Sequence, residues 1–290
     1  MAIIINGRQT AQKIHELAGK RAIKLKEKGI IPRLAVILVG DDPASVSYIT
    51  GKKNALAKIG MEDRDIRLPA GTSERELLGV IESLNKDPEV HGILVQLPLP
   101  LHISGDKIVS AIDPAKDVDG FHPVSAGSLL QCRPGFIPCT PLGIIHLLKD
   151  WKVPFNGKHA VIIGRSNIVG RPLANLLIRK EHNVTVTICH TGTRDISVFT
   201  RQADIVIAAA GSPGLVKPDM IKPGAAIIDV GVNRIEDASR KRGFRLEGDA
   251  DFNGLLEKAG WITPVPGGVG PMTIAMLMSN VADAAEGTVC

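Results

Sequence analysis

A chain of 290 residues with 44% hydrophobic and 22% charged side chains has the length of about two domains and the balance of an ordinary globular protein, which argues against a fibrous or disordered polypeptide. Aromatic residues make up only 3%, so the cores must be built from Ile, Val, Leu and Ala, and the stacking platforms that single-stranded nucleic acids use are scarce. The net charge of +5 comes from scattered Lys and Arg without a basic arm or tail, a bias toward small anionic ligands rather than nucleic acid.

Along the chain, Ile3 to Ile5 reads as a short strand, followed by a helix from about Thr10 with Ile14, Leu17, Ala18 and Leu25 on its apolar face and a stop at Gly29. Leu34 to Val39 reads as a buried parallel strand. Asp42 and Pro43 supply an N-cap and first-turn proline for a helix that ends near Gly60. Ser73 and Glu76 form a capping box for another helix, and His91 to Gln96 is the strand after it. Thr140 and Pro141 open a linker helix. Beyond it, strands are expected at Ala160–Gly164, Val184–Cys189, Ile205–Ala209 and Ala226–Val230, with a helix at Pro172–Arg179. Arg240 to Arg245 is charged and broken by glycine, and reads as a solvated loop; from Thr273 the chain is apolar and helical. Strands alternating with helices predict two parallel α/β lobes, with functional groups at the C-terminal ends of the strands.

Cys132, Cys139, Cys189 and Cys290 show no C-x-x-C spacing and no companion histidine pattern, so neither a zinc site nor a disulfide framework is read and a reducing compartment fits. The apolar run at the N-terminus is too short for a signal peptide, and no stretch has the length of a membrane span. Cytoplasmic location and no membrane partner are the expectations.

The only tyrosine, Tyr48, stands four residues before Lys52 on the predicted helix, so phenol and ammonium share one face and can converge on one ligand. Solvated lysine and packing tyrosine are the ordinary fates of such residues. Against them stands the placement of this helix just after Val39-Gly40, at a strand end. Gln96 ends a hydrophobic strand before the rigid Leu97-Pro98-Leu99-Pro100 segment, and a buried amide there needs partners such as a neighbouring lysine. Asp113, Asp117 and Asp119 crowd one turn. Turn chemistry and a cation site are both open readings, with Lys116 weighing against a metal, and a carboxylate also suits the guanidine-like edge of a pterin or guanine.

Gly164-Arg165-Ser166 through Gly170 and Pro172 leaves a strand and enters a helix, as a phosphate-binding turn does, although it is not a strict G-x-G-x-x-G. The next strand ends Cys189-His190-Thr191 without the acidic residue that holds a ribose 2′-hydroxyl. Arg165 and Thr191 favour a 2′-phosphate, hence NADP over NAD. Thr263 to Met272 is dense in Pro and Gly, a setting for a cis X-Pro bond and for backbone groups that line a ligand.

Taken in order, Val39-Gly40 through Lys52, Gly92 to Pro100, Lys116 to Gly120, Pro138 to Pro141, Gly164 to Ser166 with Val169, Gly170 and Pro172, Ile228 to Asn233, Gly248-Asp249 and Thr263 to Met272 resemble the bifunctional methylenetetrahydrofolate dehydrogenase/cyclohydrolase family over essentially the whole chain. The resemblance implies an N-terminal folate-binding catalytic domain over residues 1–139, completed by a returning C-terminal helix at 272–290, and a Rossmann-like NADP-binding domain over 140–271. It implies hydride transfer from 5,10-methylene-tetrahydrofolate to NADP⁺ and hydrolysis of the methenyl cation to 10-formyl-tetrahydrofolate. By the same analogy Lys52 is the general acid/base, Gln96 orients it and helps keep it partly neutral, and Tyr48 packs on the folate. Asp119 would hold the pterin edge, with Pro264, Gly267 and Gly268 lining the substrate cleft. Gly164, Arg165, Ser166, Thr191 and Val232 would hold NADP, no metal is used, and the chain forms a homodimer through the cofactor lobes. Gly192 departs from the bulkier residues usual in that loop, which bears on cofactor affinity and NADP preference. The competing readings are a monofunctional NAD-linked dehydrogenase, a catalytically retired folate- or nucleotide-binding protein, and a short-chain dehydrogenase, which the order of the motifs disfavours.

Overall fold

A computed structural model describes residues 1–240 and 243–288, the side chains of Ala44 and Ser47 excepted. The chain opens with β1 (Ile3–Ile4) and α1 (Gly7–Glu27), then β2 (Arg33–Val39), α2 (Pro43–Lys58), β3 (Glu62–Leu68), α3 (Glu74–Lys86) and β4 (Gly92–Val95). Two short helices, α4 (Gly105–Ala111) and α5 (Pro123–Leu130), precede α6 (Cys139–Asp150). The second run is β5 (His159–Ile163), α7 (Gly170–Leu177), β6 (Thr185–Cys189), α8 (Ser197–Thr200), β7 (Ile205–Ala208), β8 (Ala226–Asp229), β9 (Asn233–Glu236), β10 (Phe244–Glu247), α9 (Phe252–Leu255), β11 (Trp261–Ile262) and α10 (Val269–Glu286).

The chain divides into two compact units. One comprises Gln12–Cys139 with Ile274–Cys290, the other Met1–Ala11 with Thr140–Thr273. The first holds a three-stranded parallel sheet in the order β3-β2-β4. Every residue of β2 after Arg33 is buried, because helices cover both faces of a parallel strand and the sequence therefore runs apolar without alternation. On one face Ala35, Ile37 and Val39 pack with Leu77, Ile81 and Leu84 of α3 and Ile108 of α4. The capping box of α3 is formed, with the Ser73 hydroxyl accepting from the Glu76 N–H and the Glu76 carboxylate accepting from the Ser73 N–H at 2.8 Å. The C-terminal helix α10 belongs to this unit from Ile274, where the Asn280 amide donates to the Val118 carbonyl at 2.8 Å and Asp283 pairs with Arg21 at 2.6 Å.

The second unit holds a six-stranded parallel sheet, β1-β11-β8-β7-β5-β6. Val161 and Ile163 of β5, Val206 and Ala208 of β7 and Ile227 of β8 point into one core cluster, as the period of two demands. The β9–β10 hairpin stands beside this sheet as a separate antiparallel pair.

Three local expectations change. The first strand pairs with β11, Ile3 opposite Trp261, so Met1–Ala11 joins the second unit rather than grouping with the rest of residues 1–139; two apolar residues carry no record of which distant strand they meet. Phe244 and Arg245 belong to β10, paired with Glu236 and Ile235, in a stretch read as loop; of that stretch Lys241 and Arg242 lie outside the described residues. Leu17, expected on the apolar face of α1, is 60% exposed, while Ile14, Ala18 and Leu25 are buried.

Candidate active site

Parallel pairing of β2 with β4, Ile37 opposite Val95, brings the ends of both strands side by side. Helix α2 starts just beyond β2. The Asp42 carboxylate accepts from the Ser45 N–H at 2.8 Å and Pro43 occupies the first turn, which satisfies an otherwise orphan donor and fixes the helix entry. One helical turn apart, Tyr48 and Lys52 fall on one face: the Lys52 Nζ sits 4.5 Å from the centre of the Tyr48 ring. Tyr48 is 38% exposed and Lys52 only 4%, an arrangement with the ring at the surface and the amine behind it.

From the end of β4, Gln96 reaches the same amine. Lys52 Nζ donates to Gln96 Oε1 at 3.2 Å, and Gln96 Nε2 donates to the Leu97 carbonyl at 2.8 Å, which settles which end of the amide faces the lysine. Burial lowers the Lys52 pKa, and the charges of Asp119 and Cys139 oppose that shift. The expected contribution of Gln96 to keeping the amine neutral is not what this geometry provides. An amide oxygen facing Nζ favours the ammonium, so desolvation alone pushes toward the neutral amine.

Asp119 reaches this corner on a turn held from three sides. The Asp117 carboxylate is buried and accepts from the Phe121 N–H, the His122 N–H and the Ser125 hydroxyl at 3.1, 2.8 and 2.7 Å; burial pushes it up to about 6 despite these donors. Lys116 donates to the carbonyls of Leu84, Asn85 and Asp87 at 2.9, 2.8 and 2.7 Å, satisfying the C-terminal carbonyls of α3 rather than neutralising the carboxylates around it. Gly120 has φ +72, and a Cβ there would lie 2.6 Å from the Pro138 nitrogen, so the turn passes against the chain leading into α6. That chain delivers Cys139, whose buried thiol stands 3.9 Å from Asp119 Oδ1 and accepts weakly from the Asn280 amide at 3.6 Å. Desolvation raises the pKa of both Asp119 and Cys139. Lys52, Tyr48, Gln96 and Asp119 are therefore brought to one place in the first unit. Sequence reasoning missed the supporting residues Asp117, Lys116 and Cys139 as individuals, since one carboxylate in an Asp-rich turn looks like the next until burial separates them.

The second unit carries the other expected residues. Ile163 is opposite Cys189, so Gly164-Arg165-Ser166 after β5 and His190-Thr191 after β6 emerge at adjacent strand ends. Gly164 has φ +133, and a Cβ on it would sit 2.2 Å from the Ala209 carbonyl oxygen. Ser166 Oγ accepts from the Val169 N–H at 3.1 Å, which closes the turn just ahead of α7. Arg165, Ser166 and Thr191 are exposed, and Val232, beyond β8, is 60% exposed. An arginine, two hydroxyls and the absence of a carboxylate at the end of β6 fit a phosphorylated ribose. Pro264, Gly267 and Gly268 also lie in this unit, where the Gly268 N–H donates to the Pro264 carbonyl at 2.8 Å and the Val265-Pro266 bond is cis. Among the described residues no group of three or more His, Cys, Asp or Glu is placed to hold a metal, and Cys132, Cys139 and Cys189 are free thiols; Cys290 lies outside them.

Two family models of known proteins match the chain. Residues 5–119 match the model of the tetrahydrofolate dehydrogenase/cyclohydrolase catalytic domain, and residues 138–289 match that of the corresponding NAD(P)-binding domain. The chain belongs to the tetrahydrofolate dehydrogenase/cyclohydrolase family. It is 52% identical to the bifunctional protein FolD of Exiguobacterium sibiricum over 286 residues, covering 99% of this chain and 100% of that one. Among solved structures of the family, it resembles the bifunctional FolD methylenetetrahydrofolate dehydrogenase/cyclohydrolase of Campylobacter jejuni with a TM-score of 0.94 and 47% identity over 99% of each chain. The Trypanosoma brucei methylenetetrahydrofolate dehydrogenase-cyclohydrolase, solved with NADP and an inhibitor, matches with a TM-score of 0.94 and 39% identity, covering 98% of this chain and 97% of that one. Among the described residues of this family member, no helix is long and apolar enough to cross a membrane.

Proposed function

We propose that Lys52 is the proton-transfer group of a two-step folate enzyme. The family assigns the chain two linked activities: oxidation of 5,10-methylene-tetrahydrofolate to the 5,10-methenyl cation, and hydrolysis of that cation to 10-formyl-tetrahydrofolate. The observation that carries the residue assignment is a lysine 4% exposed, donating to the Gln96 amide oxygen, with its pKa lowered by burial.

Hydride leaves a carbon flanked by two nitrogens whose lone pairs stabilise the resulting cation, so the first step asks for positioning rather than acid catalysis. Tyr48 offers a ring face to the folate, and Asp119 offers a carboxylate to the aminopyrimidinone edge of the pterin. Hydrolysis requires proton transfer. Lys52 in its neutral form takes a proton from the attacking water, and as the ammonium returns one to the departing ring nitrogen. Gln96 orients the amine through its amide oxygen.

NADP⁺, when bound, supplies the hydride acceptor. Gly164 and Ser166 receive its phosphates, Arg165 and Thr191 receive the 2′-phosphate, and Val232 covers an apolar part of it. Favouring NADP⁺ over NAD⁺ rests on Arg165 and Thr191 and on the lack of an acidic residue after Cys189. The enzyme acts in the cytoplasm as a homodimer through the cofactor-binding unit. In support, Ile178 just past α7 and Ile188 on the outer strand β6 present exposed apolar side chains.

The test is Lys52→Met, which keeps the apolar stem and removes the amine. Methenyl hydrolysis is expected to fall by about a hundred- to ten-thousand-fold, with folate affinity retained; full cyclohydrolase activity overturns the assignment.

A further inference from the structure

Beneath the exposed Ala210–Ser212 loop after β7 lies a carboxylate shielded from solvent. Asp249 is 0% exposed. Its Oδ2 accepts from the N–H groups of Ala210 and Gly211 at 2.7 and 2.8 Å, and its Oδ1 from the Ser212 N–H at 2.9 Å and the Asn233 amide at 2.8 Å. A second buried carboxylate seats the first: Asp229 accepts from the N–H groups of Gly231, Asp249 and Ala250 at 3.0, 2.9 and 2.9 Å. The packing leaves no space for side chains at the glycines between them. A Cβ on Gly231 would lie 2.2 Å from Asp249 Oδ1, and one on Gly248 would lie 1.9 Å from Asp229 Oδ2.

The segments tied down in this way are the chain after β7 and the chain after β8. Both leave the C-terminal edge of the parallel sheet, where β7 lies beside β5 with its glycine turn and β8 lies beside β7. Ala209, at the root of the first loop, has its carbonyl against Gly164. Ala, Gly and Ser with their side chains in solvent bury too little apolar surface to order themselves; the four donors converging on Asp249 do it for them. Order imposed before a ligand arrives removes a cost that binding would otherwise carry.

We infer that Asp249, seated on Asp229, is a positioning residue for the dinucleotide: it preforms the Ala210–Ser212 and Val230–Asn233 loops that border the cofactor. This rests on the reading that NADP⁺ lies along the ends of β5 to β8.

Only a carboxylate meets the geometry, because in Asp249→Asn the NH₂ group must face two of the four N–H donors in either orientation. In the full-length D249N variant, amide hydrogen exchange at 210–212 without cofactor is expected to accelerate at least tenfold. NADP⁺ binding by calorimetry should weaken at least tenfold, with the dehydrogenase KM for NADP⁺ rising in step and kcat changing less than threefold. NADP⁺ affinity equal to wild type overturns the proposal, as does unaltered exchange in the loop. If D249N does not fold, Asn233→Ala, which removes one of the four donors, carries the test: a severalfold loss of NADP⁺ affinity supports the proposal and none overturns it. The cofactor placement is checked separately in the wild type, where NADP⁺ should slow exchange at 209–212 and 230–233. Absence of that protection removes the reading beneath the proposal, whatever the variants do.

Discussion

In the unit built on β2, a lysine is buried with Gln96 as its one side-chain acceptor among the described residues; in the unit built on β8, two aspartates are buried with their oxygens filled by backbone N–H groups and the Asn233 amide. Both arrangements take a charge out of water, and the accompanying groups separate their uses. Asp229 and Asp249 have their acceptor capacity taken by the loops they hold, so their chemistry is spent on shape. Lys52 has three N–H bonds in its charged form and gives one to Gln96. The rest of its capacity faces a carboxylate and an aromatic ring, and desolvation makes its proton easier to release.

The largest expected effect that tests this contrast is at Lys52, where the Met variant should lose about 3–5 kcal/mol of transition-state stabilisation for methenyl hydrolysis, the equivalent of a hundred- to ten-thousand-fold loss of rate. On the cofactor side, Arg165→Ala should raise the KM for NADP⁺ by roughly ten- to a hundredfold, the worth of a charge-assisted hydrogen bond. Turnover with NAD⁺ should change little, and steady-state kinetics with both cofactors decides; equal losses for the two would remove Arg165 from the 2′-phosphate site. Lys116→Met strips the end of α3 of its three hydrogen bonds, and urea denaturation should show a loss of about 2 kcal/mol.

The smallest effect is a pH dependence at Asp117. Its carboxyl is raised from 3.8 to about 6 in the folded chain, so the folded state binds more protons than the unfolded one between those values. The contribution of Asp117 to stability is therefore fully present below 3.8 and declines as pH rises through about 6. Asp117→Asn removes that titration. The stability difference between variant and wild type should move by about 1 kcal/mol in favour of the variant from pH 5 to pH 6, and a difference that does not vary with pH would assign the shift elsewhere.

Much of the candidate site was legible because its signals are local. The Tyr48–Lys52 spacing, the Asp42-Pro43 start of α2 and the apolar run of β2 that ends beside them act within a few residues, and each appears in the fold as read. Strand β3 was not legible: five of its seven residues are charged, which propensity counts against a strand, yet as the edge of its sheet it needs only β2 as a partner. The β9–β10 hairpin was hidden in the same way by its charged connection.

By itself the amino-acid sequence determined the alternation of strands and helices, the buried parallel strands, the helix starts and the residue set that marks the family, because burial period, capping and turn chemistry are properties of neighbours in the chain. The tertiary structure alone decided that Ile3 and Ile4 complete the sheet containing β11, that Lys116 closes α3, and that Asp249 lies beneath the β7 loop. Each depends on groups distant in sequence meeting at hydrogen-bonding distance, and residue type cannot report which donor a buried carboxylate or a two-residue strand will face.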